Sequence, residues 1–171
     1  KNELRIMYYL FEHDGVICTR ADLIEYLWDN RLYSDTSYHN EELKSLTRYR
    51  FDKVKERAKL KTSVSRLVTI LFPELEKLVP TLHMPSIFAL LSEFPGAFQI
   101  ASAHLTRLIT LLYETSKGRY GRDTAILFRE TARNSIGSNM PVKSLELKHT
   151  LKLIGELDTE IDEIEQEIKR I

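Results

Sequence analysis

The sequence contains a single cysteine, Cys18, and few residues that interrupt helices, with six glycines and five prolines among 171 residues. One cysteine excludes an intramolecular disulfide and disfavours a cysteine-rich zinc site. Long apolar runs are also lacking, since no window approaches the roughly 18 residues that a membrane helix needs. No charged-then-apolar leader opens the chain. We therefore expect a cytoplasmic protein with no membrane association.

No overall excess of charge of one sign is present, because 25 Lys and Arg offset 25 Asp and Glu. The distribution is uneven: residues 1–43 hold four basic and nine acidic residues, 44–66 hold nine and two, and 67–171 hold twelve and fourteen. Only segment 44–66, with a net charge of +7, concentrates enough positive charge to neutralise nucleic-acid phosphates. A solvated helix face is the alternative interpretation.

Apolar spacing predicts an all-α protein, a helical bundle with long coiled-coil helices. Residues 39–72 lack glycine and proline and predict one long basic helix after a connector at 31–38. Prolines and a Phe-Pro-Gly stop divide 73–140 into a small domain of short helices, in which Ser102 is suited to cap the helix that starts near Leu105. Pro141 suits the start of a final helix over 141–171.

The final helix carries a coiled-coil seam, because its apolar residues recur at intervals of three and four. A second copy of the chain is one partner for this seam, which predicts a homo-oligomer. Seven acids between Glu156 and Glu167 would oppose an identical parallel strand, so pairing with the basic helix 44–66 is the alternative. The predicted oligomerisation residues are Leu147, Ile154, Leu157, Ile161, Ile164 and Ile168.

Two segments are candidates for nucleic-acid contact. The basic helix interleaves cations with aromatic rings on which a base could stack. The turn 117–122 combines two glycines with three cations, although an ordinary helix–helix turn has the same composition. The candidate nucleic-acid-binding residues are Lys44, Arg48, Tyr49, Arg50, Lys53, Lys55, Arg57, Lys59, Lys61, Arg66, Lys117, Arg119 and Arg122.

No sequence pattern identifies a catalytic residue. The serines lie in no nucleophile-elbow motif, and no two histidines have the i, i+4 spacing of a helical metal pair. The acids of 156–167 are of the type that holds Mg²⁺ in nucleases, but their spacing favours a solvated coiled-coil surface. We therefore expect no catalytic residue, metal site or cofactor in this chain.

The N-terminal 30 residues predict a helix, a short strand and a second helix. Segments 1–6 and 19–23, the turn at Asp14 and Gly15, and the Leu27-Trp28-Asp29 triplet resemble the winged-helix DNA-binding domain of OmpR-type response regulators. The resemblance ends before the recognition helix and the wing that read DNA in that family. Residues 1–30 are thus predicted to be a partial winged-helix-like segment.

A second resemblance covers residues 32–171. Segments 41–50, 57–61, 71–76, 90–95, 116–122 and 134–137 resemble, in the same order, insertion-sequence transposases that have an N-terminal RuvC-like DEDD domain and a C-terminal catalytic-serine domain. In that family this region is a helical connector that assists subunit assembly and contacts DNA and a structured guide RNA. The DEDD carboxylates, which would use Mg²⁺, lie upstream of the matching region, and the nucleophilic serine lies downstream.

The resemblance implies a non-catalytic connector fragment of a DNA transposase that binds nucleic acid and assembles into an oligomer. Two alternatives stay open on the sequence. One is a truncated response-regulator transcription factor that uses residues 1–30. The other is a purely structural coiled-coil protein.

Overall fold

The computed structural model describes the backbone of residues 30–171 and the side chains from residue 39 onward. The predicted winged-helix-like segment lies outside the described residues. The described part consists of helices without a strand, which confirms the all-α prediction. In chain order the helices are α1 (Asn30–Leu71), α2 (Leu75–Leu78), α3 (Pro85–Glu93), α4 (Ala97–Ser102), α5 (Leu105–Thr115), α6 (Arg122–Arg133) and α7 (Pro141–Arg170).

Helix α1 begins earlier than the sequence predicts, because residues 31–38, expected to form a connector, are helical. Their serine, aspartate and threonine residues each disfavour a helix by less than about 1 kcal/mol relative to alanine, and no glycine or proline interrupts them. Composition alone therefore misplaces this boundary. The end of α1 agrees with the sequence, since Pro73 disfavours helical geometry at Phe72.

The chain divides into two compact units. The larger unit is Arg50–Ile164, and the described residues of the smaller are 30–49 and 165–171. The core of the larger unit includes the fully buried side chains of Phe72, Phe128 and Ile154. Burial of one such side chain contributes about 1.5–3 kcal/mol. None of the described helices is long and apolar enough to cross a membrane.

The segment that joins α6 to α7 is fastened to the end of α1. The Ser138 N–H donates to the Ile70 carbonyl at 2.9 Å, and the Glu74 carboxylate accepts hydrogen bonds from the Ile136 N–H at 3.0 Å and from the Ser135 hydroxyl. Gly137 lies so close to α1 that a Cβ there would be 2.4 Å from the Leu71 carbonyl oxygen. These contacts fix the point from which α7 starts.

Ser102 does not cap the helix that follows it, contrary to the sequence-based expectation. It is the last residue of α4, its hydroxyl donates to the Phe98 carbonyl at 2.8 Å, and α5 begins at Leu105 after His104. A serine hydroxyl within a helix readily donates a hydrogen bond to the carbonyl four residues earlier. A short helix, α4, thus lies between the stop at Pro95 and Gly96 and the start of α5. The sequence pattern did not predict α4 as a separate helix.

We expect Gly137→Ala to lower the free energy of unfolding by about 1–3 kcal/mol, the usual cost of overpacking, because the added methyl would collide with the backbone of Leu71. Gly155→Ala is the matched control, since Gly155 lies within α7 and a Cβ there meets nothing within 4 Å. It should instead raise the free energy by up to about 1 kcal/mol. Urea denaturation followed by circular dichroism measures both, and equal effects would contradict this close contact.

Glu74 should make the free energy of unfolding decrease at acidic pH. Its burial raises the pKa of the carboxyl, but hydrogen bonds from Ser135, Ile136 and its own backbone N–H, together with the charge of Lys77, outweigh burial and leave the pKa below its ordinary value of 4.5. A lowered folded-state pKa contributes stability that is present above about pH 4.5 and is lost as the pH falls through the folded-state value. Urea midpoints measured from pH 6 to pH 3 should fall more steeply for the parent chain than for Glu74→Gln. Parallel curves would show that these hydrogen bonds do not form.

Candidate nucleic-acid interface

Helix α1 has a core-facing side in the larger unit. Val64, Leu67, Val68 and Leu71 are buried there, and their spacing of three and four places them on one side of a helix that turns by about 100° per residue. The buried side chains fix the rotation of α1 about its axis. The rotation in turn determines on which face of α1 each remaining residue of 50–71 lies.

Three candidate cations share the opposite face of α1. Lys55, Lys59 and Arg66 are exposed and fall within an arc of about 40° when each residue turns the helix by about 100°. At a rise of about 1.5 Å per residue they extend over about 17 Å. We call these three residues the α1 cationic face.

The α1 cationic face has no ion-pair partner among the residues that the structure describes. The two acids of the basic segment lie outside the arc of the three cations, Asp52 by about 20° and Glu56 by about 60°. The Lys55 ammonium lies 5.9 Å from the ring centroid of Phe51, whose side chain is 63% exposed. This face therefore presents three cations without ion pairs beside an exposed aromatic ring.

The cations on the side of α1 that meets α7 are compensated. Lys53 pairs with Glu160 at 2.6 Å, and Arg57 pairs with Asp158. These four side chains are partly buried, and ion pairs of that kind fix relative position more than they add stability. The structure thus shows the alternative that the sequence left open, in which acidic α7 packs against the basic helix of the same chain.

The predicted seam of α7 is largely used within one chain. Five of its six predicted residues are buried, with exposures of 7% or less, and Ile168 is half-buried. A second copy would have to bind another face of α7 or displace the elements that cover the seam. Homo-oligomerisation through this seam stays a prediction. The five buried residues are Leu147, Ile154, Leu157, Ile161 and Ile164.

The remaining candidates on α1 are divided between exposed and half-buried positions. Lys44 is exposed and forms an ion pair with Glu41 at 2.8 Å, and the hydrogen bond and charge of Lys44 lower the pKa of that carboxyl. Arg48 and Tyr49 are exposed as well, whereas Arg50 and Lys61 are half-buried. Lys44, Arg48 and Tyr49 belong to the smaller unit.

The turn after α5 is a helix stop with cations on its surface. Lys117 and Gly118 have φ values of 54° and 82°, and the Gly118 N–H closes the helix on the Tyr113 carbonyl at 2.8 Å, as is common at helix C-termini. The three cations Lys117, Arg119 and Arg122 are exposed. The glycine therefore has a local structural role, which the ordinary-turn interpretation accounts for.

The acids of 156–167 are not arranged as a metal centre. Across residues 39–171, no three histidine, cysteine or acidic side chains are grouped to hold a metal ion. Asp158 and Glu160 instead form ion pairs with α1. Their place in the fold is accounted for by charge pairing.

Sequence reasoning missed a surface cleft of about 510 Å³ near the start of α7. Its lining comes from the end of α3, from α4 and from the linker before α7, which are distant in the sequence. No spacing rule connects such segments. The lining includes Glu93, Phe98, Gln99, Asn139 and Pro141, and we call it the Phe98 cleft.

No protein-family model matches this chain, and no curated protein matches it significantly. The resemblances to a transposase connector and to a winged-helix segment therefore stay expectations from the sequence. The geometry of the α1 cationic face stands independently of them.

The Lys53–Glu160 pair should have a measurable coupling energy. Because both side chains are partly exposed, we expect a double-mutant cycle with Lys53→Gln and Glu160→Gln to give about 0.5–1 kcal/mol. The pair Lys152–Glu156 is the control, since its atoms are 3.7 Å apart and its side chains are more exposed. Urea denaturation measures both cycles, and a coupling energy no larger than the control's would refute the contact between α1 and α7.

Proposed function

We propose that this chain binds nucleic-acid phosphates through the α1 cationic face and acts as the non-catalytic connector of an insertion-sequence transposase. One observation carries the binding half of the proposal. Lys55, Lys59 and Arg66 are exposed on one arc of α1, without anionic partners in the described structure, while Lys53 and Arg57 are neutralised by α7.

The arrangement of charges supports binding over a merely solvated surface. Surfaces that serve only solubility usually intersperse charges of both signs, whereas this arc holds three cations and no acid. A duplex segment of about 17 Å carries about ten phosphate charges, so three cations spread over that length can each meet a phosphate. Lysine and arginine contacts to phosphates position a protein without reading sequence, so we expect weak sequence preference.

The biological setting of the proposal follows from the resemblance. DNA and a structured guide RNA are the expected partners, the site of action is the cytoplasm, and assembly with a second copy accompanies binding. No catalytic role is assigned to any residue. Strand exchange would need the DEDD and serine domains of that family.

The test is fluorescence anisotropy with labelled duplex DNA, single-stranded DNA and hairpin RNA across a salt series. Each phosphate contact contributes about −0.9 to the slope of log K against log salt on duplex DNA. Lys55→Gln/Lys59→Gln/Arg66→Gln should therefore make that slope shallower by about two to three. Binding should weaken on all three nucleic acids alike.

A matched triple variant removes the same charge elsewhere. Lys77, Arg133 and Lys152 are exposed and lie outside α1, so their replacement by glutamine should leave the slope nearly unchanged. Equal losses of affinity in both triple variants would show that binding depends only on net charge and not on the α1 cationic face. Absent or salt-insensitive binding by the parent chain would refute the proposal and favour a purely structural coiled-coil protein.

A further inference from the structure

The Phe98 cleft has an exposed aromatic ring on its wall. Phe98 is 61% exposed, although burial of a phenylalanine side chain is favourable. Single exposed apolar residues are common, but this ring lines a cleft of about 510 Å³, a volume within the range of small-molecule sites. The ring is therefore accessible to a flat ligand that enters the cleft.

Two amide side chains share the cleft with the ring. Gln99 and Asn139 both line it, and neither side-chain amide forms a hydrogen bond with another described residue. Each amide offers two N–H donors and an acceptor oxygen. Asn139 is held near its position because the linker is fastened to α1 through Ser138.

The carboxylate in the lining of the cleft, that of Glu93, is paired with an arginine. Arg107 donates from Nε and from one terminal nitrogen to the two Glu93 carboxylate oxygens, both at 2.7 Å. Three of its five N–H donors stay available. The charge of the Glu93 carboxylate is thus neutralised by Arg107, and the remaining donors of Arg107 suit an anionic group beside the cleft.

We propose that the Phe98 cleft binds one unstacked nucleotide of a single-stranded nucleic acid. The base stacks on Phe98, its edge forms hydrogen bonds with Gln99 and Asn139, and its phosphate lies beside Arg107. Stacking of unpaired bases on aromatic rings with edge contacts from side chains is the general way in which proteins read single strands. The inference rests on the proposed function, to which it adds a site for unpaired nucleotides.

The chemistry of the lining favours this occupant over an apolar helix or a second copy. Aromatic stacking with free amides matches a planar heterocycle that carries donors and acceptors on its edge. An apolar helix would bury the two amides without hydrogen-bond partners, which is unfavourable. The free N–H donors of Arg107 further favour a ligand that carries a phosphate.

The direct test uses nuclear magnetic resonance of the ¹⁵N-labelled full chain. Adenosine, guanosine, cytidine and uridine 5′-monophosphates are titrated separately, with ribose 5-phosphate as the control that lacks a base. We expect the side-chain amide signals of Gln99 and Asn139 to shift with at least one nucleotide and to stay unmoved with ribose 5-phosphate. Unmoved amide signals with all four nucleotides would overturn the proposal.

Substitutions at Phe98 provide the second readout. Phe98→Leu keeps an apolar side chain but removes the ring, and should weaken binding of a single-stranded oligonucleotide about tenfold, within the range that loss of one stacked base produces. Phe98→Trp should retain or tighten binding. Tyr113→Leu is the control, because Tyr113 is an equally exposed aromatic residue, at 57%, outside the cleft.

The pattern across ligands separates this proposal from the first. Phe98→Leu should leave duplex binding and its salt slope unchanged, whereas the α1 triple variant lowers binding to every nucleic acid. An abasic single strand should be insensitive to Phe98→Leu. If the parent chain fails to bind oligonucleotides, the mononucleotide titration still tests whether the Phe98 cleft binds a nucleotide. An unchanged affinity of Phe98→Leu for single strands, or a self-association that Phe98→Leu abolishes in sedimentation experiments, would overturn the proposal.

Discussion

The packing of α7 against α1 within one chain is the constraint on which the larger unit depends. α7 buries its apolar seam in the chain itself, and the ion pairs Lys53–Glu160 and Arg57–Asp158 align the two helices. Aligned pairs of this kind disfavour a slipped register, because slippage would separate each charge from its partner. With the rotation of α1 fixed, the direction of the remaining side chains of its residues 50–71 follows.

This packing gives Lys53 and Arg57 a different physical role from Lys55, Lys59 and Arg66. Cations that meet α7 are half-buried and neutralised, whereas those on the opposite face remain in water with their charge intact. A net charge summed over the segment conceals the distinction. The balance of 25 basic and 25 acidic residues thus coexists with a local surface of one sign.

Much of the helical architecture could be predicted from sequence, because periodicity and proline act locally. Pro141 at the start of α7 and the end of α1 before Pro73 agree with the structure. The start of α1 at Asn30 could not be predicted, since weak propensities did not decide it. The partner of the α7 seam could not be predicted either, because the spacing of apolar residues is the same for pairing within one chain and for pairing between two chains. The Phe98 cleft brings together residues such as Glu93 and Asn139, whose separation in the chain hides their proximity.

The fastening of the linker to α1 has a further consequence for local opening. The last carbonyls of a helix need partners from outside it, and the Ser138 N–H supplies one to Ile70. Glu74 holds the same linker through Ser135 and Ile136. We therefore expect fraying of the last turn of α1 to release the start of α7, so that the two ends share their protection from hydrogen exchange. Asn139, which lines the cleft, directly follows Ser138 in this linker. The position of Asn139 therefore depends on the end of α1, although the two are far apart in the sequence.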